Sequence, residues 1–136
     1  LEKFPLDEEV FSQLNYAEEE GSKALFQSLH LASWDDVVEI NDNFSLHKMK
    51  IDILDFMPES NSFDIIYFDA FAPSKQSEMW SQEVLNKMYD CQSHTGIFTT
   101  YCAQGQFKRD LKAVGYISEE LPGPPGKKEM TRGIKQ

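Results

Sequence analysis

The chain has 136 residues, 40% of them hydrophobic, with 13 Lys and Arg against 23 Asp and Glu for a formal charge of −10. At roughly 100–200 residues per domain this is a single domain, long enough to bury a core. Seven Gly and six Pro exclude a collagenous or low-complexity chain, and the longest apolar run, Ile65-Ile66-Tyr67-Phe68, excludes a helical membrane span of about 18 residues.

Residues 6–19 place Val10, Phe11 and Leu14 at helical spacing behind Pro5, with acids in the first turn, which predicts a helix. Gly21 interrupts it. Ser22 is expected to cap a second helix whose apolar face is Leu25, Phe26 and Leu29. Val37–Ile40 reads as a strand and Asn41-Asp42-Asn43 as a turn. The alternation from Phe44 to Lys50 runs into Ile51–Leu54 as a strand or hairpin. Phe63–Phe68 is apolar, β-branched and aromatic, as a strand buried on both faces should be. A helix is expected over Glu78–Tyr89 with Trp80, Val84, Leu85 and Met88 inward, then a buried strand over Gly96–Cys102. A helix over Ala103–Val114 stopped by Gly115 and a strand over Tyr116–Leu121 follow. The loop Pro122–Gly126 leads into Lys127–Arg132, where no element is expected.

Strands alternating with helices indicate an α/β open sheet, in which ligands bind beyond the carboxyl ends of the strands. That rule selects Glu2, Asp55-Phe56, Asp69-Ala70-Phe71 and Cys102-Ala103. A carboxylate at a strand end can accept ribose hydroxyls, and Asp55-Phe56 can take an adenine amino hydrogen while the ring packs on the base. A lone Asp in such a place is commonly a turn or cap residue. Asp69-Ala70-Phe71-Ala72-Pro73 is the sharpest local feature: a carboxylate, an aromatic ring and a stiffening proline directly after a strand. Such a segment suits methyl transfer to an amine, where the carboxylate aims the lone pair and the ring holds a flat or cationic group.

Charge is uneven along the chain. Residues 1–104 hold six basic and nineteen acidic side chains, whereas residues 105–136 hold seven basic and four acidic ones. An anionic partner approaching the basic end would favour this distribution, and an unevenly charged solvated surface gives the same count. His30, His47 and His94 have no spacing that converges on a metal, and Cys91 and Cys102 read as ordinary thiols.

Several segments together resemble the methyltransferase module of the MnmC/MnmD family. They are Tyr67–Pro73, Met79-Trp80, Thr99–Ala103, Phe107–Leu111 and Leu121–Met130, with Leu1–Leu6 similar to the stretch that ends the family's second strand. The resemblance spans nearly the whole chain. It implies a Rossmann-like class I methyltransferase sheet with helices on both faces, here lacking the first strand and its glycine-rich turn. Residues 1–136 would form a single, partial methyltransferase domain, and the piece alone is expected to be inactive. It further implies S-adenosylmethionine as cofactor and, as substrate, the aminomethyl group on the wobble uridine of tRNA. By position, Glu2 would hold the ribose, Asp55 and Phe56 the adenine side, and Asp69 with Phe71 the reacting amine. Asp69 would also border the cofactor, and Lys127, Lys128 and Arg132 would meet the RNA.

Leu1 in place of Met points to a piece of a longer protein, and the scarcity of cysteine with no signal peptide in view points to the cytoplasm. Exposed sheet edges would then be covered by a homo-oligomer or by the missing N-terminal segment. Three other readings remain open on the residues: a class I methyltransferase with another amine substrate, a non-catalytic α/β scaffold, and an NAD-type dinucleotide binder. The last has no need of Asp-Ala-Phe-Ala-Pro at that strand end.

Overall fold

The computed structural model describes residues 1–123 and 125–136. Pro124, in the middle of the expected 122–126 loop, and the side chain of Glu20 lie outside the described residues. The chain divides into two units, Leu1–Phe56 and Met57–Gln136.

In the first unit, helix α1 is only Glu8–Phe11, far shorter than the spacing of apolar residues predicts. The reason is local. Ser12 Oγ and Gln13 Nε2 both donate to the Glu9 carbonyl, which the next helical turn would have used. Gln13 N and Leu14 N then bond three residues back, to Val10 and Phe11, and the turn tightens to a stop. Helix α2 spans Glu20–Leu31, so Gly21 lies inside its first turn and Ser22 is not its cap. The first helical bond runs from Lys23 N to the Glu19 carbonyl. Leu25, expected on the apolar face, is exposed, while Phe26 and Leu29 are half-buried.

Strands β1 (Val37–Asn41) and β2 (Phe44–His47) form an antiparallel hairpin. Its turn is held by Asn43 N donating to Asn41 Oδ1, the local bond that makes Asn a turn residue. Ile51–Leu54 does not extend the hairpin. Asp52 Oδ1 accepts from Leu54 N, and the Asp52 carbonyl accepts from Asp55 N and Phe56 N, so the chain turns there. His30 lies between the rings of Phe11 and Phe26, at 4.7 and 4.3 Å between centroids. Lys48 donates to the His30 carbonyl and lies 4.7 Å from the centre of the Trp34 ring.

The second unit is a four-stranded mixed sheet in the order β3-β4-β6-β5. Its strands are β3 (Phe63–Tyr67), β4 (Gln92–Thr100), β5 (Ile117–Pro122) and β6 (Glu129–Ile134). β3 and β4 are parallel, and β6 runs antiparallel to both β4 and β5. β3 stands where expected but is not buried on both faces: Phe63, Ile65 and Tyr67 are exposed. Among the described residues it pairs with β4 alone, and the face bearing those three side chains is exposed.

The expected helix over 78–89 is two pieces, a 3-10 turn at Ser77–Trp80 and helix α3 at Gln82–Cys91. Ser81 between them is extended, and its hydroxyl accepts from Val84 N, a helix N-cap that separates the pieces. Helix α4 spans Gly105–Val114. Gly115 N bonds the Lys112 carbonyl and Tyr116 N the Leu111 carbonyl, the paired closure of a Schellman turn. Gly115 is required there: φ is +122°, and a Cβ would meet the Tyr89 ring at 3.1 Å.

β6 was not expected from the sequence. Its buried positions are Thr131 and Gly133, two small residues that carry no hydrophobic signal, while Met130, Arg132 and Ile134 alternate half-buried. Gly133 lies against the ring of Tyr116, where a Cβ would approach Cδ1 to 3.0 Å.

The core of this unit is a chain of aromatic rings. Phe68 meets Trp80 and Phe98, Phe98 meets Phe107 and Tyr116, and Tyr116 meets Tyr89 edge-on. Val84, Leu85 and Met88 of α3 and Phe107 and Leu111 of α4 are buried with them. Within this core the Tyr116 hydroxyl donates to Gln92 Oε1, and Gln92 Nε2 has no partner among the described residues. Burial above all, with Cys91, Tyr89 and Asp90 nearby, pushes the Tyr116 phenol far above its ordinary value, so it stays a donor. Tyr116→Phe strips the last bond from a buried amide and is expected to cost about 1–3 kcal/mol in urea unfolding. Combined with Gln92→Met, part of that loss should return, because both partners are then apolar.

Lys108 of α4 reaches Glu120 of β5 at 2.5 Å and Glu129 of β6 at 3.3 Å, tying the helix to two strands. The bond from Lys108 holds Glu120 below the ordinary carboxylate value, and the same bond is the main cause raising Lys108. The carboxylate's contribution is therefore present above its unfolded value and lost as pH falls through the lowered folded one. The contribution of Lys108 is present below its unfolded value and lost only in strong alkali. Lys108→Met should lower the melting temperature slightly at neutral pH, as exposed pairs do. The gap from wild type should close in melts on the acid side of the carboxylate range.

Candidate functional site

β3 ends at Tyr67, and one further ladder bond runs from Phe68 N to the Thr99 carbonyl at 2.9 Å. The chain then leaves the sheet at Asp69. Two donors from outside the loop hold its next two carbonyls: the Tyr101 hydroxyl bonds Ala70 O and the Trp80 indole bonds Phe71 O, each at 2.7 Å. The Ala72 carbonyl accepts from Lys75 N and Gln76 N, which closes a turn around Pro73. Asp69 and Phe71 project from this pinned backbone into solvent, Phe71 with 76% of its surface exposed.

Trp80 itself is buried, edge-on to Phe68, Phe107 and Tyr101 at 5.2, 5.0 and 6.2 Å. Tyr101 follows β4, and Lys127 Nζ lies 4.0 Å from the centre of its ring. Burial, then Cys102 and Asp69, push the Tyr101 phenol up, so it remains protonated and able to donate. Cys102 is buried, and its carbonyl accepts from Thr131 Oγ1 at 2.7 Å, fixing the end of β4 to β6. A cavity of about 200 Å³ borders the same loop, lined by Pro73, Ser77, Trp80, Gln104, Phe107 and Asp110 among others.

Within the second unit Tyr101 thus touches both the Asp69–Phe71 loop, through Ala70, and Lys127, while Trp80 holds the loop through Phe71. Lys128 is exposed beside Lys127. Arg132, expected to face RNA, lies in β6 with its guanidinium on Glu119, at 2.9 Å from Nε and 2.5 Å from the terminal nitrogen. Arg109 donates to Gln106, and Lys135 to Asn61 Oδ1 and the Gln92 carbonyl. Much of the basic end is therefore already engaged.

Glu2, Asp55 and Phe56 belong to the first unit. Glu2 N bonds the Met49 carbonyl, and Lys3 pairs with Asp52 at 2.5 Å, so the opening segment lies along residues 49–52. Glu2 also lines a 430 Å³ cavity with Phe11, His30, Trp34 and Lys48. Asp55 is exposed and Phe56 is buried. Among the described residues no three His, Cys, Asp or Glu side chains converge as metal ligands, and no helix is long and apolar enough to cross a membrane.

Tyr101 and Trp80 carry no local sequence mark of a site residue. Their bonds span 31 and 9 residues, so only the fold reveals them. The one available signal was their place in the family-like segments.

Residues 16–136 match the family described as S-adenosyl-L-methionine-dependent methyltransferase. A similar protein is the tRNA 5-methylaminomethyl-2-thiouridine biosynthesis bifunctional protein MnmC of Hydrogenovibrio crunogenus. It is 32% identical over 139 residues, covering 98% of this chain and 21% of the relative. Proteins with the same name from Leptospira borgpetersenii and Campylobacter hominis are 31% and 29% identical over 98% and 97% of this chain, and over 21% and 20% of their own lengths. The chain spans about a fifth of the length of these curated relatives. It belongs to the S-adenosyl-L-methionine-dependent methyltransferase family and is related to the MnmC proteins.

Proposed function

We propose that this chain is the methyltransferase part of an enzyme that methylates the aminomethyl group on the modified wobble uridine of tRNA. The observation that carries the reading is the loop Asp69–Phe71: a solvent-facing carboxylate and ring on a backbone held by two side-chain donors at the carboxyl end of β3. Both units belong, in this reading, to one Rossmann-like class I methyltransferase domain. The family match, which runs across the boundary at Phe56 and Met57, supports this. The names of the relatives support tRNA as the substrate class.

The residues fit the cofactor in kind. Asp55 and Asp69 are exposed carboxylates, and Asp69 stands just past a strand end, as ribose and amino groups require. Glu2, Asp55 and Phe56 of the first unit would hold the adenosine side of S-adenosylmethionine, which when bound supplies a methyl group on a positively charged sulfur. Attack needs a neutral amine with its lone pair aimed, yet a carboxylate also favours the protonated form. Asp69 would therefore accept an N–H to orient the amine and take the proton that the nitrogen releases when the methyl group passes to it from sulfur, which leaves as a neutral thioether. The exposed ring of Phe71 packs on the flat or cationic group beside it. Lys127 and Lys128 contact phosphate, which fixes position and reads no sequence.

Asp69→Ala in the whole protein should lower methyl transfer to tRNA carrying the aminomethyl uridine by more than about a hundredfold. Calorimetric affinity for S-adenosylmethionine should change little. Wild-type turnover in that variant would remove Asp69 from the reaction.

A further inference from the structure

We infer that Tyr101 is a positioning residue for the amine-orienting loop, its hydroxyl fixing Ala70 and its ring face docking Lys127. One side chain thereby sets both the loop that carries Asp69 and the loop that follows β5. The inference rests on the reading of Asp69 given above.

The backbone of Asp69 is clamped on both sides. Upstream, Phe68 N is in the ladder with Thr99 O; downstream, the Ala70 carbonyl is held by Tyr101 and the Phe71 carbonyl by Trp80. The Tyr101 bond is the nearer of the two downstream anchors, one residue from the carboxylate. Without it, the peptide after Ala70 can rotate, and Asp69 is fixed on that side only through Phe71. In-line transfer tolerates little of this, since a displacement of about 1 Å can cost on the order of a hundredfold in rate.

The ring does separate work. Its edge-on contact with Trp80, at 6.2 Å and 81°, fixes its plane. Its face lies 4.0 Å from Lys127 Nζ, an attraction of ammonium for the ring quadrupole. Lys127 follows the turn at Gly126, where φ is +91°, so the ring is an anchor for that turn across from Ala70.

The test compares Tyr101→Phe, Tyr101→Leu, Asp69→Asn and the double variant Asp69→Asn/Tyr101→Phe in the whole protein, with S-adenosylmethionine and the aminomethyl-uridine tRNA. Tyr101→Phe keeps the ring and loses only the hydroxyl. Its kcat should fall about tenfold to a hundredfold, with melting temperature and S-adenosylmethionine affinity close to wild type. In the Asp69→Asn background the same change should cost less than about threefold, because residues acting through one another do not add. Tyr101→Leu should also raise KM for the tRNA, which Tyr101→Phe should not. Wild-type kcat in Tyr101→Phe, a loss that multiplies fully in the double variant, or a loss that only tracks a fallen melting temperature would each overturn the positioning role. An unchanged tRNA KM in Tyr101→Leu would overturn the docking of Lys127. Wild-type turnover in Asp69→Asn would instead overturn the assignment of Asp69, a result read independently of the others.

Discussion

A buried indole needs an acceptor for its N–H, and in this chain Trp80 finds it in the carbonyl of Phe71. Three further rings surround Trp80: Phe68 at the end of β3, Phe107 on α4 and Tyr101 after β4. The same side chain is thus the centre of the apolar core and one of the two posts that hold an exposed loop. Packing energy and loop geometry are coupled through it. The loop needs no strained backbone to present Asp69 and Phe71, because its carbonyls are satisfied from beneath.

The fold was partly legible from residue pattern. β3, α4 with its Gly115 stop, and β5 stand within about two residues of where hydrophobic runs and breakers put them, and β4 covers most of the expected 96–102 strand but begins four residues earlier, at Gln92. The departures from that pattern have specific causes. Helix α1 ends early because Ser12 and Gln13 side chains take a carbonyl that periodicity assigns to the backbone. The 78–89 segment breaks at Ser81 because its hydroxyl caps α3, a choice invisible to a count of apolar positions. β6 escaped notice because its inward residues, Thr131 and Gly133, are small, and their burial comes from Tyr116 and from the neighbouring strands. β3 reads as doubly buried from composition, yet the face that bears Phe63, Ile65 and Tyr67 is exposed.

Of the candidate site, the Asp69-Ala70-Phe71 segment was readable because its signal is contiguous. Tyr101 and Trp80 were not, since they reach it across the fold. The charge count at residues 105–136 was likewise incomplete. It registers Lys108 and Arg132 as available cations, whereas Glu120, Glu129 and Glu119 occupy them. A sum of charges along the chain says where cations are dense; it does not say which are already paired. In this molecule the pairs knit α4, β5 and β6 together and leave Lys127 and Lys128 at the loop.

The strand order carries a consequence for how the sheet is assembled in time. β6 follows β5 in the chain but lies between β4 and β5, and among the described residues β5 pairs with no other strand. During synthesis, β5 is complete at Pro122 yet must wait for residues 129–134 before a single ladder bond can form. Until then β4 and β5 both present open edges, the templates on which chains misassociate. A folding chain in which residues 129–134 are not yet docked therefore holds a split sheet, and addition of the short Glu129–Ile134 stretch closes it.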